Sequence, residues 1–156
     1  MFSKNIKGFT LIEMLIVIAV IAILAGVVLT GVSGFQASAR DTRRLGDLRT
    51  TQNYLELYFN KCGHYPVDGG ATCGGATGES SLGWTVVTEA LKTVTSQVPV
   101  DPVNSGDYVY QYAYLDGGLS YEIQATLERD NSALDNDVDG EVLGCVEADK
   151  EFCVKS

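Results

Sequence analysis

The sequence predicts an α+β protein in which a long N-terminal helix, whose first half spans a membrane, carries a small head of one short helix and an antiparallel sheet. Three observations lead to this fold class. The first 35 residues are largely apolar, a short amphipathic segment begins at Trp84, and two alternating runs flank a glycine turn near position 117. With 156 residues, 46% hydrophobic and 20% charged, the chain is too short for a multi-domain protein and too apolar to be wholly disordered.

The N-terminal helix is predicted from an uncharged run that extends from Met14 to Leu29 and, with two polar interruptions, back to Phe9. As a helix, this longer segment measures about 32 Å, which is enough to cross a hydrocarbon core of about 30 Å. A buried core helix is the alternative, but the rest of the chain is too small to cover such a helix on every side. We therefore expect residues 9–35 to span a membrane.

The carboxylate of Glu13 is out of place in such a helix. An ionisable residue inside a membrane span costs a few kcal/mol and usually has both a partner and a function. The alternative is that the side chain only reaches the membrane interface. Since Glu13 is the fifth residue of the segment that begins at Phe9, a cation near Phe9 would be its natural partner.

Three interpretations of this segment compete. A conventional secretory signal would use Lys4 and Lys7, the apolar run and a cleavage site at 37–39, but the run exceeds the usual 7–15 residues. An uncleaved anchor is the second interpretation. The third comes from the string GFTLIE, from Gly8 to Glu13, which follows a short basic leader. This string resembles the class III signal of type IV pilins and type II secretion pseudopilins.

The resemblance implies that a prepilin peptidase removes the leader, residues 1–8, by cutting between Gly8 and Phe9. The new amine of Phe9 is then methylated, and Glu13 pairs with the same amine of a neighbouring subunit. It also implies a homopolymeric filament assembled by an inner-membrane platform protein and an ATPase, with lipid contact before assembly. The head is then expected outside the cytoplasm on a single-pass inner-membrane protein, and later in an extracellular or periplasmic filament.

Residues 36–62 read as an amphipathic continuation of the helix, with Leu45, Leu48, Leu55 and Phe59 at helical spacing. Gly63 is the predicted stop. Four arginines follow the apolar run. Counting positive charges alone would therefore place the head in the cytoplasm. The class III signal and the four cysteines outweigh this count, and we keep the head outside the cytoplasm. We interpret the arginines as a solvated band that faces partners, rather than a nucleic-acid or lipid patch. They are Arg40, Arg43, Arg44 and Arg49.

The head, residues 63–156, begins with a Gly-, Ser- and Thr-rich loop over 63–83. A short amphipathic helix follows, in which Trp84, Val87, Leu91 and Val94 are expected to face one side and to bury the tryptophan against the long helix. The string VPVDP at 98–102 should then end this helix and turn the chain. Together with the tyrosine-rich strand that follows it, this string resembles the heads of pilins and major pseudopilins.

An antiparallel hairpin is predicted around the turn at 116–118. Its first strand alternates tyrosines with smaller residues over 108–114, and its second strand alternates apolar and polar residues over 121–128. The tyrosines would suit a platform on which a ligand stacks. Packing in a core or at a subunit contact is the commoner role for such a stripe, and we expect that here.

Four cysteines allow three disulfide pairings, and their spacings do not match a zinc site. We expect two local disulfides, Cys62–Cys73 and Cys145–Cys153, because the head is predicted to lie in an oxidising compartment. Each would stabilise a small head by roughly 2–4 kcal/mol. Reduced, buried thiols are the alternative.

Nine acidic residues lie between Glu128 and Glu151, and part of this segment matches the first half of a calcium loop. Position twelve is Val146, so the bidentate glutamate of an EF-hand is missing. A solvated acidic loop is the alternative interpretation. Major pseudopilins hold calcium in a C-terminal loop, and the resemblance therefore adds calcium as a candidate cofactor. The candidate ligands are Asp135, Asp137, Asp139 and Glu141.

We expect a structural subunit of a type IV pilus-like filament and not an enzyme. The single histidine, His64, has no nucleophile–base pattern around it, and the net charge of −9 disfavours nucleic-acid binding. The alternative in the same family is a major pseudopilin of a type II secretion system. A less favoured alternative is a secreted binding domain released after Ala39.

Overall fold

The computed structural model describes residues 8–68, 73–74, 80–138, 140, 142–145 and 149–156, and of residues 27–33 and 136 it describes the backbone alone. The chain divides into two compact units, an N-terminal unit, Met1–Gln36, and a C-terminal unit, Ala37–Ser156. The predicted α+β class is confirmed. Its elements are α1 (Leu11–Cys62), β1 (Ser80–Leu82), α2 (Trp84–Leu91), β2 (Gln111–Leu115), β3 (Ser120–Thr126), a 3-10 turn (Leu134–Asn136) and β4 (Glu151–Lys155).

Helix α1 ends where the sequence predicts. Gly63 adopts φ +77°, a left-handed conformation that costs a glycine little, and its N–H donates to the carbonyl of Phe59 at 2.7 Å. The predicted core stripe is right for Leu48 and Leu55, which are fully buried, whereas Leu45 and Phe59 are only partly buried.

The buried face of α1 includes polar residues that the apolar pattern does not reveal. Its members recur at intervals of three or four residues, as one face of a helix requires. They are Asp41, Arg44, Leu48, Thr51, Leu55 and Tyr58. The buried stripe therefore differs from the one predicted from apolar spacing. Its first turn contains the charged residues Asp41 and Arg44, whereas the prediction placed Leu45 there.

The four strands form one antiparallel sheet in the order β1-β2-β3-β4. The predicted hairpin is β2 and β3, with Leu115 opposite Ser120 and a turn in which Asp116, Gly117 and Gly118 all have positive φ. Three of the four tyrosines belong to the core as expected: Tyr110, Tyr112 and Tyr114 are each at most 3% exposed, whereas Tyr108 is only partly buried. The side chains of these three buried tyrosines pack with those of α1 and α2 in one hydrophobic cluster.

Helix α2 forms where predicted and buries Trp84, whose Nε1 donates to the carbonyl of Pro99 at 3.0 Å. Its ring meets that of Tyr110 edge-on, with centroids 5.2 Å apart. The helix ends at Leu91, three residues before Val94. The predicted loop over 63–83 was wrong at its end, because residues 80–82 form β1, which pairs with β2 through Leu82 and Tyr112.

Strand β4 was missed by the sequence analysis. It pairs with β3 along its whole length, with Cys153 opposite Gln124. The structure contains both disulfides favoured from the sequence, Cys62–Cys73 and Cys145–Cys153. The second one joins β4 to the segment 142–145, whose backbone N–H groups at Val142 and Leu143 donate to buried Glu122.

Candidate functional site

The N-terminal end of α1 is closed by a reciprocal cap between Thr10 and Glu13. The backbone N–H and the hydroxyl of Thr10 each donate to Oε2 of Glu13 at 2.7 Å, and the N–H of Glu13 donates to the hydroxyl of Thr10 at 3.3 Å. This is a capping box, and it satisfies N–H groups that the first helical turn leaves without partners. The spacing T-x-x-E in the sequence signals it, although the sequence analysis considered only the charge of Glu13.

The predicted processing residues Gly8 and Phe9 lie outside regular secondary structure, just before the cap. Both are exposed, and the Phe9 side chain is 84% accessible. An added Cβ at Gly8 would meet no atom within 4 Å. The three sequence-predicted residues Gly8, Phe9 and Glu13 thus lie within one short accessible segment of the N-terminal unit.

The described apolar side chains of the N-terminal unit are exposed on every side of the helix. Those of Leu11, Ile16, Ile18 and Leu24 are between 55% and 86% accessible, although they point in different directions around the axis. Burying this surface is strongly favourable in water, at roughly 25 cal/mol per Å². Within the chain itself nothing that the structure describes covers it.

In the part of the chain that the structure describes, no helix has a segment both long and apolar enough to cross a membrane. The predicted span, 9–35, includes seven residues, 27–33, whose side chains lie outside the described part.

A second charged cluster lies inside the C-terminal unit and is centred on Arg44. Its guanidinium is fully buried and donates to Asp41 at 2.8 Å, to both carboxylate oxygens of Asp101 at 2.7 and 3.1 Å, and to Glu128 at 2.8 Å. Its Cζ lies 4.8 Å from the ring centroid of Tyr108. Three carboxylates and one aromatic face thus surround a single cation.

Backbone N–H groups hold two of these carboxylates, Asp41 and Asp101, in place. Asp41 accepts the N–H groups of Glu128 and Arg129, at 2.9 and 3.1 Å. Asp101 accepts those of Val103 and Asn104, at 2.8 and 3.2 Å. The cluster therefore connects α1 to the VPVDP segment at 98–102 and to the residues that follow β3. Since Arg44 is fully buried, its role is structural.

The electrostatics of the cluster agree with its geometry. Burial alone would lower the pKa of Arg44, but its hydrogen bonds to Asp101, Glu128 and Asp41 raise that pKa. Hydrogen bonding from Arg40, together with that from Arg44, lowers the pKa of Glu128 to about 2 against the opposing effect of burial. Arg44 and Glu128 are thus both charged at neutral pH.

The interpretation of the four arginines as a solvated band was wrong for Arg44, whose side chain is 0% exposed. Arg40 is 35% exposed, but it donates through two nitrogens to Glu128 of the same chain. Arg43 and Arg49 are exposed as expected, and Arg43 lies 3.6 Å from Asp47 one turn away. Charge alone cannot reveal this difference, because only the carboxylates brought by distant segments make burial of Arg44 favourable.

The single histidine lies at the end of α1. Its Nδ1 is 2.7 Å from the carbonyl oxygen of Tyr65, and its ring meets that of Tyr58 edge-on at 6.1 Å. These contacts fit a structural role.

The candidate calcium ligands are not brought together in the described residues. Asp135 is exposed, and Oδ2 of Asp137 accepts the N–H of Cys153 at 3.0 Å. Asp139 and Glu141 lie outside the described residues, and those that are described contain no cluster of three metal-ligating side chains. Calcium binding stays a prediction.

Comparison with known proteins connects the N-terminal segment to a family. Residues 3–29 match the sequence model of the prokaryotic N-terminal methylation motif. The chain is 46% identical over 55 residues, 35% of its length, to the type IV wide pilus major component PilA4 of Thermus thermophilus, covering 42% of that protein. It is 33% identical over 60 residues, 38% of its length, to the type II secretion system core protein G of Escherichia coli K12, covering 41% of it.

The chain thus spans about two fifths of the length of these curated relatives. No solved structure matches the chain. The resemblance inferred from the string GFTLIE is confirmed by both the motif and the relatives. The chain therefore carries the prokaryotic N-terminal methylation motif and is similar, over 55 to 60 residues, to a type IV pilus component and to a type II secretion core protein.

Proposed function

We propose that the protein is a structural subunit of a type IV pilus-like filament, processed by a prepilin peptidase and assembled through its N-terminal helix. The observation that carries the proposal is the methylation motif over residues 3–29, with its cleavage junction exposed and Glu13 at the first helical turn. Because the relatives are a pilus component and a secretion core protein, the motif supports a structural role rather than an enzymatic one.

The exposed apolar side chains of α1 support polymerisation. A helix that is hydrophobic all round is stable only when other apolar groups surround it. We propose that lipid surrounds residues 9–35 first, in an inner-membrane protein whose head lies outside the cytoplasm. Neighbouring copies of the same helix then replace the lipid, with the platform protein and ATPase of such systems driving the exchange.

Glu13 would select the incoming subunit. In the unprocessed chain its carboxylate caps its own helix through Thr10. Cleavage after Gly8 would turn the Phe9 nitrogen into a charged amine. In an apolar surrounding, the amine of a neighbouring subunit would bind the Glu13 carboxylate more strongly than Thr10 does. Pairing would thus favour addition of a processed subunit over an unprocessed one.

The intact mass of the protein from its native host tests the processing step. We expect a chain that begins at Phe9, carries one additional methyl group and gains four hydrogens on reduction of its two disulfides. A chain that begins at Arg40 would instead support a secreted domain. A chain that begins at Met1 would leave an uncleaved anchor and overturn the filament proposal.

The substitution Glu13→Gln tests the role of the charge separately from the cap. Glutamine serves at this position of a capping box as glutamate does, so the helix start should be retained. We expect normal cleavage after Gly8 but little or no filament, measured by mass and by the sedimentable fraction. Filament at the wild-type level would show that the charge of Glu13 does not select subunits.

The second candidate function is that of a major pseudopilin, and the similarity to core protein G favours it. A pilus would leave the cell, whereas a pseudopilus would stay in the periplasm and serve protein secretion. Deletion of the gene distinguishes the two. Loss of fibres sheared from the cell surface, with secretion intact, supports the pilus, and loss of secreted proteins supports the pseudopilin.

A further inference from the structure

The sheet of the C-terminal unit ends in two edge strands, β1 and β4. An edge strand presents N–H and C=O groups on its free side, and a strand of another molecule can pair with them. β1 has only three residues, and so short an edge limits such pairing. β4 has five residues, and its centre contains Phe152 and Val154, residue types that favour strands. β4 is therefore the edge at which another strand would pair more readily.

The hydrogen bonds to β3 and its neighbours show which peptide groups of β4 point to the free side. The carbonyl of Lys150 accepts the N–H of Leu127 at 2.8 Å. The N–H of Ser156 donates to the carbonyl of Tyr121 at 3.3 Å. Because the peptide groups of successive residues in an antiparallel strand alternate in direction, the odd-numbered residues of β4 point theirs away from β3. The N–H and C=O of Cys153, the central residue of β4, therefore lie on its free side.

Two residues from outside the sheet bind the N–H and C=O of Cys153. Oδ2 of Asp137 accepts the N–H of Cys153 at 3.0 Å, and the N–H of Val138 donates to the carbonyl of Cys153 at 3.4 Å. Asp137 and Val138 follow the 3-10 turn, whose Leu134 is buried and anchors the segment. Cys153 itself is only 1% exposed. The segment 134–138 thus covers the middle of the β4 edge.

This cover does not create a new edge. If a fifth strand paired with β4, its own outer N–H and C=O groups would become the free edge of the sheet. Asp137 instead binds β4 through its side chain, and its main-chain N–H donates to the carbonyl of Leu134 at 3.4 Å. The sheet thus ends at β4 because a carboxylate occupies the position at which another strand would supply a carbonyl.

We propose that Asp137 and Val138 block the β4 edge against pairing with the same edge of a second copy. A second copy is the relevant partner, because two identical edges can pair antiparallel about a two-fold axis. The consequence for assembly rests on the proposed filament function, since a filament brings many copies close together. With the edge blocked, the copies associate through their N-terminal helices, and their heads do not join into a continuous sheet.

Amide exchange and particle size test the block in the full-length, detergent-solubilised protein. We expect Asp137→Ala to speed hydrogen exchange at the Cys153 N–H about tenfold or more, because its charge-assisted hydrogen bond is lost. Light scattering and thioflavin T fluorescence should also show strand-paired oligomers that the wild type lacks. Asp137→Asn is the conservative variant. Its side-chain oxygen accepts the same N–H, so its exchange rate and particle size should match those of wild type.

Asp135→Ala is the matched control. Asp135 is an exposed acidic residue of the same 3-10 turn, and both it and Asp137 are candidate calcium ligands. Its removal should leave the exchange at Cys153 and the particle size unchanged. If Asp135→Ala or a chelator reproduces the effect of Asp137→Ala, cation binding rather than coverage of the edge is responsible, and the proposal is overturned.

Val138→Pro tests the second contact without removing the carboxylate. Asp137 has φ −80° and ψ −178°, in the extended region that a residue before proline favours. Proline lacks the N–H that donates to Cys153. This variant should form fewer of the same oligomers, with a smaller change in exchange at Cys153 than Asp137→Ala. Melting followed by Trp84 fluorescence shows that each variant folds, and if one of the two unfolds, the other decides.

Three results would overturn a proposal. If both variants exchange and associate like wild type, the block is overturned and the filament function stands. Faster exchange without oligomers also overturns the block, because the edge is then open and still does not pair. If the wild type is uncleaved in its native host and forms no filament, the filament function fails, and the comparison of the solubilised variants still decides the block.

Discussion

Arg44 shows how one buried side chain organises the C-terminal unit. A guanidinium out of contact with water is costly unless its donors are matched, and here three carboxylates from separate segments match them. Two of them, Asp41 and Asp101, are in turn fixed by backbone N–H groups. The pairing of Arg44 therefore specifies where the VPVDP segment at 98–102 and the residues after β3 contact α1.

We predict that Arg44→Met destabilises the protein by about 3–5 kcal/mol, because it leaves Asp41, Asp101 and Glu128 without their shared cation. Urea denaturation followed by Trp84 fluorescence measures the effect. The matched control is Arg43→Met one residue away, whose exposed pair with Asp47 is worth at most about 1 kcal/mol. Equal effects of the two substitutions would contradict the assigned role of Arg44.

The pH dependence of stability should carry the signature of Glu128. Its pKa falls from an ordinary 4.5 to about 2 on folding, since Arg40 and Arg44 stabilise the carboxylate. A lowered folded-state pKa stabilises the protein above the unfolded value, and this contribution is lost as the pH falls from about 4.5 toward 2.

We therefore expect wild type to exceed Glu128→Gln in unfolding free energy at pH 7, and the gap to shrink between pH 4.5 and 2. Urea denaturation at a series of pH values measures it. A gap that stays constant across this interval would show that Glu128 is not the group responsible.

At the scale of elements, the hairpin turn is bound closely to the end of α1. The carbonyl of Gly118 accepts the N–H of Tyr65 at 2.8 Å, and Gly118 has φ +91°. An added Cβ would lie 2.8 Å from Cγ1 of Val67 and 3.3 Å from the carbonyl oxygen of Tyr65. The glycine is thus required both by backbone conformation and by space.

We predict that Gly118→Ala destabilises the protein by about 2–4 kcal/mol, combining a left-handed conformation with a steric clash. Gly106→Ala is the control, because that residue also has positive φ, +61°, but open space around it. It should cost only about 1–2 kcal/mol. Thermal melting of both variants would reveal whether the clash contributes, and similar values would exclude it.

The disulfide Cys145–Cys153 should stabilise the C-terminal segment. Cys145–Cys153 joins β4 to the chain that covers Glu122, and closing so short a loop contributes about 2–3 kcal/mol. We expect the double substitution Cys145→Ser and Cys153→Ser to lower the melting temperature relative to wild type.

The calcium prediction has its own test. We expect a chelator to lower the melting temperature of the wild-type protein, and an unchanged melting curve in chelator would count against calcium binding.

At the scale of the whole molecule, the two compact units carry different surfaces. The N-terminal unit exposes apolar side chains, and the C-terminal unit buries an aromatic and charged core beneath a largely acidic exterior. The first surface fits lipid or copies of itself, and the second fits water. This division is what the proposed filament subunit requires.

Local patterns were enough to predict much of this protein. Residues close together in the sequence predict five features: the long apolar run, the methylation motif, the end of α1 at Gly63, the position of α2 and the β2–β3 hairpin. Each depends on periodicity or on turn chemistry over a few positions, and such signals need no knowledge of distant segments.

Only the tertiary structure decided the rest. β1 and β4 are short, and partners that are far away in the chain specify them. Whether an arginine is a surface charge or a buried cation depends on which face of the helix packs and on which carboxylates the fold brings to it. Arg44 lies on the buried face of α1 and meets three carboxylates, whereas the neighbouring Arg43 is exposed. Sequence spacing reports the period of an element, whereas burial of a charge is determined by the sum of long-range contacts that compensate its lost hydration.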